Sequence, residues 1–143
     1  MKNNKIGMFL ALGAACVCGS ALNAQVTSEN LLAKVPFAFQ VPGGNFEAGK
    51  YLLSESGYLG VPSIQNVESG RRVFVLGADH ALGTAGSPKL VFHCYSGNSC
   101  FLAEIHPRTG RGSHVAMTKA EKEIAYGDQR REMATISVAL RAD

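Results

Sequence analysis

The chain has 143 residues, 46% of them apolar, with 14 Lys and Arg against 11 Asp and Glu. That length suits one domain with a real hydrophobic core. A net charge of +3 is too small for the dense cationic face that binding to phosphate backbones requires, so no nucleic-acid partner is expected.

The N-terminus follows the plan of a secretory signal. Lys2 and Lys5 give a positive start, Ile6 to Val17 form an unbroken run of apolar or small residues, and Leu22-Asn23-Ala24 offers a cleavage site. The run of 12 residues falls short of the roughly 20 needed to span a bilayer. Ala21, behind Gly19-Ser20, is a rival site. Lipid attachment at Cys16 or Cys18 fits less well, because Leu12 stands one place too far from Cys16 and Val17 is too large beside Cys18. Residues 1–24 are therefore expected to be a signal peptide and 25–31 a loose lead-in. Residues 32–143 are expected to form a single domain, periplasmic or extracellular. Loss of the two signal lysines lowers the net charge from +3 to +1, and no second apolar run could span a membrane.

The mature chain reads as β structure. Val35, Phe37, Phe39 and Val41 alternate with smaller or polar residues, the period of a strand with one face on a core. Pro36 lacks an N–H, so it belongs at a sheet edge or an irregular point. Pro42-Gly43-Gly44-Asn45 is a turn, and Tyr51 to Glu55 begins the next strand. Ser63–Val67 and Arg72–Leu76 form a hairpin about Glu68-Ser69-Gly70-Arg71. Beyond a glycine-rich loop from Gly83 to Pro88, Leu90–Tyr95 and Cys100–Ile105 form the strongest hairpin signal. Thr118 followed by Glu121 matches a capping box and predicts a helix over 119–126, ended by Gly127. Ile136, Val138 and Leu140 alternate in a last strand over 134–140. The predicted fold is mainly β: an antiparallel sandwich or small barrel of about seven strands with one short helix.

The segments Val35-Pro36-Phe37-Ala38-Phe39, Ala48-Gly49-Lys50-Tyr51, Phe92-His93, Phe101-Leu102 and Lys119 to Ala125 carry a resemblance. Together they resemble a family of small exported β-rich proteins common in acidobacterial genomes, over most of residues 34–126. The resemblance implies export and a β fold, and it supplies no catalytic residues. The chain departs from the family's usual pattern in its cysteine pair.

Cys94 and Cys100, the cysteines that remain after cleavage, flank the hairpin tip. A three-residue loop, Ser96-Gly97-Asn98, sets them directly opposite each other and suits Asn98 to a left-handed position. A four-residue loop to Ser99 sends them to opposite faces. That second register gathers Leu90, Phe92, Phe101, Ala103 and Ile105 on one apolar face. The two arguments conflict, and a disulfide is the expected outcome because thiols outside the cytoplasm oxidise. Redox catalysis would need a closer pair at a helix start.

No catalytic, metal or cofactor site is expected. His80, His93, His106 and His114 show no metal-ligand spacing, with His106 at a strand end and His114 in a glycine-rich loop. Asp79 and His80 are adjacent and would face opposite ways on a strand. Gly83-Thr84-Ala85-Gly86 precedes no helix that could bind phosphate. Arg71-Arg72 and Arg130-Arg131 read as solvated charges, and no nucleophile motif is present. The expected function is that of a non-catalytic envelope or extracellular module binding a protein, glycan or surface. The alternative is a carrier of a small apolar ligand held inside the sandwich or barrel.

Overall fold

A computed structural model of the protein describes residues 30–56, 61–81, 86–108, 111–128 and 130–143. The expected signal peptide, the lead-in up to residue 29 and residues 82–85 of the glycine-rich loop lie outside the described residues. In chain order the strands are β1 (Leu31–Val35), β2 (Phe39–Val41), β3 (Gly44–Phe46), β4 (Gly49–Ser56), β5 (Val61–Asn66), β6 (Arg72–Phe74) and β7 (Gly77–Ala81). They continue with β8 (Lys89–Tyr95), β9 (Ser99–His106), β10 (Ser113–Val115), helix α1 (Lys119–Tyr126), β11 (Met133–Ala139) and β12 (Arg141–Ala142).

These strands form two sheets that are not closed into a barrel, as a sandwich requires. One sheet has the order β12-β1-β4-β5-β6, and the other runs β11-β8-β9-β10-β7 with the β2–β3 hairpin beside β9. Pairing is antiparallel throughout except where Gln40 of β2 meets Phe101 of β9 in parallel. The chain changes sheets four times, between β1 and β2, β3 and β4, β6 and β7, and β11 and β12. At Pro36 it leaves the first sheet after β1 and joins the second at β2, and at Leu140 it passes back from β11 to β12.

The first crossover explains a difference from the sequence reading. Val35, Phe39 and Val41 are all buried, with Phe37 packed against them, yet they belong to two strands in different sheets. Both sheets face one core, so the alternation continues across the break. Pro36 stands at the irregular point. Leu31, expected in the lead-in, is buried in β1. The expected strand over 72–76 is shorter, and β3, which begins within the expected turn at 42–45, β7, β10 and β12 are additional. Gly43 and Gly70 have φ of +99° and +70°, the left-handed conformation that their hairpin turns require.

Aromatic rings fill the space between the sheets. Phe39 lies 5.1 Å from both Tyr51 and Phe92 and 5.5 Å from Phe46, and Phe37 meets Phe92 edge-on at 5.1 Å. Such pairs add to plain burial. Leu31, Ala33, Val35, Leu53, Ile64, Leu90 and Leu102 complete the core. Among the described residues no helix is long and apolar enough to cross a membrane.

Phe92 is fully buried and Phe74 is 54% exposed. Phe92→Ala should therefore cost about 3–5 kcal/mol, while Phe74→Ala should stay within about 0.5 kcal/mol. Urea unfolding of both variants checks the contrast, and equal small losses would contradict the assignment of Phe92 to the core.

Candidate functional site

The β8–β9 hairpin contains both registers that the sequence left in conflict. At its tip Tyr95 pairs with Ser99, Cys94 with Cys100, His93 with Phe101 and Phe92 with Leu102. Farther down, Val91 pairs with Glu104 and Leu90 with Ile105. The partner steps from Leu102 to Glu104 across one position, so Ala103 is the extra residue of a β-bulge.

The bulge lets each half obey its own rule. Near the tip the three-residue loop holds, with Asn98 at φ 63° and Gly97 at φ 93°. The cysteine Sγ atoms are 2.16 Å apart and the Cα atoms 4.0 Å apart, so the pair is at disulfide distance. Below the bulge the register is that of the four-residue loop. Leu90, Phe92, Cys100, Leu102 and Ile105 share the inner core, with Cys94 packed against it. The expected stripe is corrected at two residues. Phe101 belongs to the outer face, where its ring meets Tyr95 at 5.9 Å, and Ala103 occupies the bulge.

Strand alternation puts Val91, His93 and Tyr95 of β8 on that outer face. Helix α1 stands over it. Thr118 caps the helix by accepting the Glu121 N–H at 3.0 Å, half of the expected capping box. The Glu121 side chain points into the sheet instead. Its Oε1 lies 3.3 Å from His93 Nδ1 and accepts the Tyr95 hydroxyl at 3.3 Å. Glu121 is 2% exposed. Burial pushes its pKa up, partly offset by the hydrogen bond and charge of His93 and the hydrogen bond from Tyr95. Burial, followed by the neighbouring Glu121 charge, pushes the Tyr95 phenol up.

Gly127 ends α1 as expected, with its N–H donating to the Glu123 carbonyl. Its backbone is extended rather than left-handed, and a Cβ there would clash with that carbonyl oxygen.

A second polar group lies on β9 and β10. Glu104 pairs across the strands with His114. Its carboxylate reaches His106 Nε2 at 2.8 Å and His114 Nδ1 at 3.7 Å. His114 thus sits on β10 rather than in a loop, and it shares a carboxylate with His106. The i, i+2 spacing of Glu104 and His106 was a legible signal; the third member needed the unforeseen β10. Among the described residues no three His, Cys, Asp or Glu side chains are arranged to hold a metal ion.

Three of the arginines read as solvated charges, Arg71, Arg72 and Arg131, have partners. Arg71 donates to the Asn45 carbonyl at 2.7 Å and lies over the Phe46 ring. Arg72 binds Gln65, and Arg131 donates to the Ser96 carbonyl at 3.3 Å beside the hairpin tip. The backbone of Asp79 and His80 belongs to β7, and their side chains lie outside what is described.

Comparison with known proteins gives no match to a family model, a curated protein or a solved structure.

Closing the seven-residue ring from Cys94 to Cys100 restricts the unfolded chain and stabilises the fold by about 2–3 kcal/mol on a loop-entropy estimate. Replacing both cysteines by serine should lower the Tm and leave the circular dichroism spectrum unchanged. Thiol labelling of the denatured, non-reduced protein should find neither cysteine free; full labelling of both would show the bond to be absent.

Proposed function

We propose that the mature chain is an exported, non-catalytic module of the cell envelope or exterior that binds a protein partner by strand addition. The observation that carries this reading is β11. It is the terminal strand of its sheet, and its sequence, Met-Ala-Thr-Ile-Ser-Val-Ala, contains no charge and no proline. Nearly all of it is exposed, including Met133 and Ile136. Proteins that keep sheet edges to themselves protect them with charge, proline or bulges. An uncharged edge suits a partner strand, whose backbone supplies the hydrogen bonds.

The signal-like N-terminus supports export, and the cysteine pair at disulfide distance is compatible with an oxidising compartment. The aromatic rings packed between the sheets give less support to the reading as a carrier of an apolar ligand.

In its native host the protein should fractionate outside the cytoplasm, with a new N-terminus near Gln25 by mass spectrometry. An intact Met1 on the mature product would contradict export. Thr135→Lys, placing a charge on the exposed edge, should weaken retention of the purified domain on envelope material without lowering its Tm. Unchanged retention would contradict strand addition at β11.

A further inference from the structure

The anchor of α1 is unusual in chemical kind. Among its eight residues Glu121 alone is buried. Lys119, Ala120, Lys122, Glu123 and Tyr126 are exposed, and Ile124 and Ala125 are half-buried. A helix this short does not hold its shape alone in water. Surface helices are ordinarily held through an apolar stripe. Here the residue inserted into the sheet is a carboxyl group.

We propose that α1 is a pH-sensitive strap over the outer face of β8 and β9, docked while the Glu121 carboxyl is protonated and released as the pH rises. Release uncovers Tyr95, and with it one side of the buried Tyr95–Phe101 ring pair.

The titratable groups facing the carboxyl are His93 and Tyr95, both from β8. Tyr126 on α1 acts only through Tyr95, and the cap residue Thr118 does not titrate. The released helix holds Glu121 in water, where its carboxyl has its ordinary acidity. The docked helix holds it desolvated, and desolvation favours the neutral acid. Docking is therefore fully favoured below the released-state pKa and is lost as the pH rises through the higher docked-state value. Between the two values it weakens by up to about tenfold per pH unit. The hydrogen bond from His93 favours the ionised form and narrows that window.

Hydrogen exchange of the oxidised full-length domain from about pH 4 to about pH 8, corrected for the intrinsic rate at each pH, tests the strap. The amides of Lys122 and Gly127, bonded to Thr118 and Glu123, report on α1, and those of β8 and β9 report on the sandwich. In the wild type α1 protection should fall with rising pH while the sheet stays protected. Glu121→Gln should keep α1 docked and abolish the pH dependence. His93→Ala should make the fall larger. The proposal is overturned if wild-type α1 protection is flat or rises with pH, or if a folded Glu121→Gln protein shows the same fall. Should Glu121→Gln lose sheet protection, the wild-type and His93→Ala profiles decide alone: a His93→Ala fall no larger than wild type overturns it.

Discussion

The β8–β9 pairing is the constraint from which the rest of the molecule follows. Its register decides which side chains face the other sheet and which face outward, because a slip of one residue reverses every side chain. Tied at the tip by Cys94 and Cys100 and shifted once at Ala103, the hairpin is apolar on both faces. Phe92 and Leu102 enter the aromatic core, while Tyr95 and Phe101 are buried on the opposite side. A hairpin buried on both faces needs a second cover, and α1 supplies part of it. The neighbours of the hairpin are set by the same pairing: β11 lies along β8, and β10 and β2 lie along β9.

The two faces are closed by different physics. On the inner face, rings at about 5 Å centroid spacing exclude water and gain from burial and quadrupole contacts. That closure is insensitive to pH. On the outer face, a carboxyl group meets an imidazole and a phenol, so its stability depends on protonation and hydrogen-bond geometry. Fully burying a leucine at that position would contribute about 1.5–3 kcal/mol. A carboxyl forgoes that gain and makes the helix adjustable.

Much of this arrangement was legible in the sequence, and the failures have physical reasons. The helix was read from Thr118, Glu121 and Gly127, and its boundaries agree with the structure, because capping is local chemistry. The left-handed Asn98 was read from its loop for the same reason. The bulge was not foreseen: two sound arguments, one from the turn and one from the apolar stripe, demanded registers one residue apart. Neither anticipated that both could hold in different halves of one hairpin. The sheet crossover at Pro36 was hidden because alternation is indifferent to which sheet a strand joins. β7 and β10 were missed because Gly77–Ala81 and Ser113–Val115 are short and lack an apolar rhythm. The burial of Glu121 was obscured by its match to a capping box, which accounts for the residue without a tertiary partner.

The most direct test of the hairpin is a set of cross-strand Hα–Hα nuclear Overhauser effects in the oxidised protein. A Cα–Cα distance of 4.0 Å places Cys94 and Cys100 at a non-hydrogen-bonded pair, where the two Hα atoms approach closely. The structure predicts strong effects between Cys94 and Cys100 and between Phe92 and Leu102, with none between Tyr95 and Cys100. A Tyr95–Cys100 effect, continued by Phe92 opposite Ala103, would remove the bulge and contradict the two-faced hairpin.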